Sequence, residues 1–275
     1  MINLIKRTTI AAALVAGAAI SIYPLFFMLM TALQPSTFLF EYPPKLFPTA
    51  PTLANFVQAW TSQNFSVYVA NSVFVTAVSF LLIFCLSSTM AFAYSRFTFK
   101  GKKLTFAIVM SALVIPGLTL IIPQFILINQ FGMFNSYPGL IVIYTASGIP
   151  FTMFLLKGFF DTISRDIDES VAIDGGSSLR LFVSIILPLS KPAFVPATIF
   201  NMLTIWEEFP WALTIINDPL KRTLPIALAT FQGQYTTQWG IVFAGSLIAV
   251  LPVIVLFVFL QRYFIAGITA GAVKG

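Results

Sequence analysis

The chain has 275 residues, of which 58% are hydrophobic and 9% charged, well under half the ~25% charged residues of a soluble domain. Thirty Phe, eight Tyr and four Trp, with a mean hydropathy of +0.93, leave too little polar surface to cover a globule of this size. A soluble enzyme, a disordered chain and a nucleic-acid binder are therefore excluded. Fifteen Lys and Arg against nine Asp and Glu give a net charge of +6. One cysteine, Cys85, and no histidine rule out an intrachain disulfide, a His-based triad and HExxH zinc chemistry, and no GxxxxGK[ST] loop is present to hold a nucleotide.

Long apolar runs predict six membrane spans, at about 10–33, 69–93, 104–128, 138–156, 194–216 and 240–260. Each approaches the ~20 residues that cross ~30 Å of hydrocarbon at 1.5 Å per residue. The first resembles a signal peptide in having Lys6 and Arg7 before it and Ala16, Ala18 and Ala19 within it. Its apolar stretch continues through Tyr23, Phe26, Phe27 and Met30, however, beyond a roughly 7–15-residue signal core, so it reads as a retained span.

Basic residues cluster at the N-terminus (Lys6, Arg7), in the second connection (Arg96, Lys100, Lys102, Lys103), in the fourth (Lys157, Arg165, Arg180, Lys191) and in the tail (Arg262, Lys274). The other connections hold only Lys45, Lys221 and Arg222. Twelve of fifteen thus fall on one side, and the positive-inside rule places both termini in the cytoplasm. Pro24, Pro116, Pro123, Pro150, Pro196 and Pro210 lie within or beside the apolar runs. Each removes a backbone donor, which points to kinked or discontinuous helices packed around a path.

The fourth connection, 161–191, holds five of the nine acids: Asp161, Asp166, Asp168, Glu169 and Asp174. Carboxylates at 166–169 suit a helix N-terminus, and Asp166 with Glu169 has capping-box spacing. Gly175-Gly176 then breaks the helix. Ser177 or Ser178 caps a second short helix through Leu179, Phe182 and Ile186, which Pro188 and Pro192 close. Ile167, Val171 and Asp174 fall at i, i+4 and i+7, giving a short stripe suited to a partner's groove. Clustered acids argue against an anionic lipid surface as the partner.

Asp168-Glu-Ser-Val-Ala-Ile-Asp-Gly-Gly-Ser177, followed by Ile185-Ile-Leu-Pro188-Leu, resembles the "EAA" signature of bacterial ABC-importer permeases. In the sugar-transporter branch that signature is commonly E-E-A-A-x-I-D-G-A. Glu169, Ile173, Asp174 and Gly175 match it, whereas Ser170 and Val171 replace the alanines and Gly176 replaces the last one. Asn71-Ser72, Trp206-Glu-Glu-Phe209 and the ending Gln261-Arg-Tyr-Phe264 through Gly275 extend the resemblance to the shorter, second permease of maltose-type importers.

The resemblance implies an all-α integral membrane fold: one permease domain over 1–275, six helices, and a cytoplasmic helix-hinge-helix coupling loop. Asp168, Glu169, Ile173, Asp174, Gly175 and Gly176 would couple to an ATPase, with Glu169 meeting a basic residue there and Gly175 making the bend. The chain itself would carry no cofactor, because ATP and Mg belong to the partner. The implied partners are a second permease, two ABC ATPase subunits, an extracytoplasmic substrate-binding protein and the lipid bilayer, with no nucleic acid, in the cytoplasmic (inner) membrane of a bacterium or archaeon.

Glu207 and Glu208 lie within the fifth run, where an acid costs roughly 2.5–3.5 kcal/mol. Adjacent residues point about 100° apart on a helix, so the two cannot face one partner. One of them lines a polar route, or the helix breaks at Pro210. Trp206, Glu207 and Glu208, with Asn71, are the candidate path residues. The fifth connection, with Asp218, Lys221, Arg222, Gln232 and Gln234, reads as a solvated outward loop, and by resemblance it contacts the binding protein. A proton-coupled secondary transporter using Glu207 or Glu208 is the alternative function. An intramembrane enzyme built on Ser177 or Ser178 lacks a histidine to activate the nucleophile.

Overall fold

The computed structural model describes residues 2–35, 47–48, 50–62, 64–231 and 238–272, with side chains between Lys6 and Gln261. Lys45, Gln232, Gln234 and Lys274 lie outside the described residues. Every regular element among the described residues is helical: α1 (Ile2–Ala32), α2 (Ala54–Thr61), α3 (Phe65–Arg96), α4 (Lys102–Ser111), α5 (Ile121–Gln130), α6 (Tyr137–Phe160), α7 (Asp166–Ile173), α8 (Ser178–Leu181), α9 (Leu187–Leu189), α10 (Lys191–Trp206), α11 (Pro210–Ile215), α12 (Leu224–Thr230) and α13 (Trp239–Ala272), with short 3₁₀ and π turns between some of them.

Among the described residues, four stretches are long and apolar enough to cross a membrane: Lys6–Ala32, Phe65–Arg96, Tyr137–Phe160 and Trp239–Gln261. They coincide with four of the predicted spans. A fifth is obtained when Ser178–Leu189 and Lys191–Trp206, bent by 76° at their junction, are taken together. The run at 104–128 is not one helix. α4 ends at Ser111, the chain breaks ahead of Pro116, and a 3₁₀ turn at Gly117–Leu120 leads into α5. The run at 194–216 is also interrupted, since α10 stops at Trp206 and α11 begins at Pro210. Both breaks sit at prolines, whose missing N–H and ring clash end a helix.

The chain forms two compact units. One takes residues up to Ser66 together with Ala227–Pro252. Its core is Ala32, Ala59, Ile241 and Ala244, with Phe56, Phe231 and Phe243 packed on it. Asn55 clamps the end of α1 by donating its side-chain amide to the carbonyls of Ala32 and Gln34 at 2.9 and 2.8 Å. Leu14, Val15, Ile20 and Ile22 of α1 are exposed, an apolar surface that lipid or another subunit would cover.

The second unit takes Val67–Ile226 with the residues from Val253. Here α3 and α6 run parallel: Tyr137 Oη donates to Asn71 Oδ1 at 2.8 Å at one end, and Ser95 Oγ donates to Asp161 Oδ1 at 2.7 Å at the other. The connection between two parallel helices must run back along their length. It does so in two pieces, with Phe106 of α4 against Tyr94 and Ile128 of α5 in the cluster of Val75 and Leu140. α10 returns antiparallel to α6, as Phe194 with Phe160, Asn201 with Thr152 and Glu208 with Tyr144 come together in that order.

The three helices meet at Gly148, where an added Cβ would lie 2.5 Å from Ile83 Cδ1 and 2.7 Å from Asn201 Oδ1. Gly148→Val is therefore expected to destabilise the second unit by about 1–3 kcal/mol through overpacking. Thermal unfolding in detergent reads this as a lowered midpoint.

Candidate functional site

α7 opens with Asp166, Asp168 and Glu169 in its first turn, where the helix dipole favours them. The expected Asp166–Glu169 capping box does not form. Ser164 takes that role: its Oγ accepts from Asp166 N at 3.2 Å and donates to Asp166 Oδ2 at 2.9 Å. The C-terminus closes as a Schellman motif, with Gly176 N donating to Val171 O at 2.8 Å and Gly175 N to Ala172 O at 3.1 Å. That motif requires a left-handed residue at its turn, and Gly175 supplies it with φ +70°. Ser177, rather than Ser178, caps the following helix by accepting from Arg180 N at 3.3 Å. A π-helical turn at Phe182–Ile186 and α9 carry the chain past Pro188 to the bend at Ser190, whose Oγ donates to Ile186 O.

The expected outward stripe is rearranged. Ile167 and Val171 pack inward against the cluster of Phe160, Leu181 and Ile186. The exposed residues include Glu169, Ser170, Ile173 and Asp174, and Ile173 is 86% exposed. Asp168 turns away from this face, with its Oδ2 3.1 Å from Arg96 Nε. The departures at 171 and 176 are spatially linked, because a Cβ on Gly176 would lie 2.5 Å from Val171 Cγ1. A larger residue at 171 is thus accommodated by a smaller one at 176.

In the interrupted fifth run the two acids separate. Glu207 is exposed at the break, following α10. Glu208 is enclosed: Tyr144 Oη donates to its Oε2 at 2.5 Å, Trp211 N donates to Oε1 at 2.8 Å and Ala212 N to Oε2 at 3.0 Å. It thereby satisfies two backbone donors at the start of α11. Trp206 is buried, and Trp211 bridges the two breaks by donating its Nε1 to Gln124 and placing its ring against Gly117.

Asn71 lies apart from these residues. Its amide donates to the carbonyls of Leu220 and Arg222, each at 2.9 Å, and neighbouring Ser72 Oγ accepts from Leu224 N at 2.8 Å. Asn71 therefore holds the connection carrying Asp218, Lys221 and Arg222. Asn135, with φ +56°, fixes the other side of that connection, its Oδ1 accepting from Asn217 N and Asp218 N at 3.1 and 2.9 Å. Lys221 Nζ donates to Asn135 O at 3.1 Å, and Leu220 is exposed at the loop tip. Sequence reasoning passed over Asn135, whose only signal was an Asn in a turn-rich segment.

Among the described residues, no group of three or more His, Cys, Asp and Glu side chains is placed to hold a metal ion.

Residues 83–269 match the family described as "Binding-protein-dependent transport system inner membrane component". The chain is 37% identical over 253 residues to the probable ABC transporter permease protein YurM of Bacillus subtilis, covering 92% of this chain and 84% of that protein. It is 35% identical over 269 residues to the melibiose/raffinose/stachyose import permease protein MelC of the same organism, covering 97% and 96%. Its fold matches a chain from the crystal structure of a bacterial ABC transporter involved in the import of alginate, with a TM-score of 0.84 at 18% identity over 95% of this chain and 97% of that one. The chain therefore belongs to the binding-protein-dependent transport system inner membrane components.

Proposed function

We propose that this chain is the transmembrane subunit of an ATP-driven ABC importer and forms, with a second permease, the path for a carbohydrate or related polyol. The observation that carries the reading is the loop at 161–191: a helix closed by a Schellman turn, presenting Glu169, Ile173 and Asp174 on an exposed face. An exposed isoleucine flanked by acids suits a groove lined by apolar and basic residues, as the EAA resemblance implies for the ATPase. ATP and Mg would be held by two such subunits. The family description adds a binding protein; in this reading it is extracytoplasmic and would meet the connection at 217–238. MelC, by its name an import permease for melibiose, raffinose and stachyose, supports a carbohydrate as substrate.

Six spans with both termini in the cytoplasm agree with the distribution of Lys and Arg, and the divided α4–α5 segment supplies the third crossing. That orientation would have the loop at 161–191 in the cytoplasm and the Asn71 end outside, in an inner membrane. Glu207 is the candidate path acid. Glu208 spends both carboxylate oxygens on three donors, which disfavours it as a proton carrier.

Mild solubilisation is expected to recover the chain with an ATPase and a second permease, and the reconstituted complex should take up sugar only with ATP. Glu169→Lys should remove the ATPase from the purified complex and abolish uptake while the chain still inserts. Uptake without ATP by vesicles holding this chain alone would overturn the reading.

A further inference from the structure

We infer that Arg96 is a positioning residue that fastens the loop at 161–191 to the end of α3, so that movement of the loop is delivered to a membrane-spanning helix. The inference rests on the proposed docking of that loop on an ATPase. Arg96 is the last residue of α3, and its side chain is 4% exposed. Its Nε lies 3.1 Å from Asp168 Oδ2, and its Nη2 donates to Ile163 O at 3.1 Å.

Arg165 makes the reciprocal contact. Its Nη1 and Nη2 donate to the carbonyls of Arg96 and Ser95, at 3.3 and 2.8 Å, satisfying acceptors that the end of a helix leaves without partners. Asp161 completes the set, taking Ser95 Oγ on one oxygen and Lys157 Nζ on the other at 2.6 Å. Burial works to raise the Asp161 carboxyl. The hydrogen bonds from Lys157 and Ser95, with the charges of Lys157 and Arg96, outweigh it and hold the group below its usual range. Asp161 therefore stays ionised at neutral pH.

Apolar packing, such as Phe92 against Phe182, does not fill the space between α3 and the loop. An open pocket of about 180 Å³ lies there, lined among others by Phe92, Arg96, Asp168, Val171 and Leu181. Neither Arg96 Nε nor Asp168 Oδ1 has a hydrogen-bond partner, so the two side chains are joined as an ion pair, by charge and proximity. A guanidinium this buried is costly to leave unpaired, which makes the link hard to break during movement. The contact also ties two points of the loop's start, Ile163 and Asp168, to one side chain, and this allows that part of the loop to move with α3.

The test uses the complete complex with its ATPase, reconstituted with binding protein and sugar. Arg96→Asp is expected to insert, to co-purify with the ATPase and to continue to hydrolyse ATP, but to lose roughly tenfold or more of its uptake per ATP hydrolysed. Asp168→Arg is expected to insert and to lose that ratio as well. The double exchange should restore most of that ratio, and Arg96→Lys should fall between. Unchanged uptake per ATP in the single variants would overturn the inference. So would a double exchange no better than either single, or single variants that fail only in assembly, which would make the contact one of folding. If the unaltered complex contains no ATPase, the proposed function itself fails, a result separate from the comparison among variants.

Discussion

Replacing Gly175 with proline is expected to abolish uptake while leaving the chain in the membrane. Gly175 has φ +70°, whereas proline holds φ near −65°, so the Schellman turn cannot form. Proline also deletes the N–H that bonds Ala172 O at 3.1 Å. Exposed Glu169 and Ile173 would then leave α7 in a new direction relative to Ser177 and the helix it caps. Gly175→Ala keeps the N–H and incurs about 1–2 kcal/mol for a left-handed residue, so it should retain part of the activity. Immunoblotting of membranes measures insertion, and sugar uptake by cells measures function. Normal uptake by the proline variant would show that the turn does not serve transport.

Glu208→Ala is expected to be among the most destabilising single changes in the second unit. It strands Tyr144 Oη and the N–H groups of Trp211 and Ala212, each worth about 1–3 kcal/mol when left unpartnered in a buried setting. Glu208→Gln retains one acceptor oxygen but turns an NH₂ toward a donor, so it should fall between. Glu207→Ala, at an exposed position, should change little in stability. Unfolding midpoints in detergent rank the three. A Glu208→Ala protein as stable as the unaltered chain would remove the capping role assigned to that carboxylate.

Hydropathy located the four long apolar helices because apolar composition is averaged over ~20 residues, and averaging is also why it missed the interruption between Ser111 and Gly117. Lipid-facing apolar residues look alike in a helix and in a break, so only Pro116 betrayed the change. The glycine hinge was legible because few residues but glycine settle at positive φ. The direction in which α7 faces was not, because Ile167 and Val171 fit a partner's groove as well as they fit this chain's own core. Asp166 and Glu169 had the spacing of a capping box, but Ser164 lay two residues earlier and competed successfully for the same N–H. Arg96 was legible only as one positive charge among twelve on its side. Its burial against Asp168 depends on residues more than sixty positions away, which no local pattern reports. Asn71 was legible as a polar residue opening a span, but its use depends on carbonyls at 220 and 222, contributed by a connection distant in sequence.

α3 is held at both ends, by Asn71 to the connection at 220–222 and by Arg96 to the loop at 161–168. It contains neither proline nor glycine, so about 37 Å of uninterrupted helix separates the two attachments. A rod of that kind fixes the distance between the two faces of the second unit and carries a displacement from one to the other without attenuation. The divided segments beside it, α4–α5 and α10–α11, have no such rigidity at their breaks. Work entering at one surface would therefore arrive at the other through a strut, and the change of shape between them would be left to its jointed neighbours.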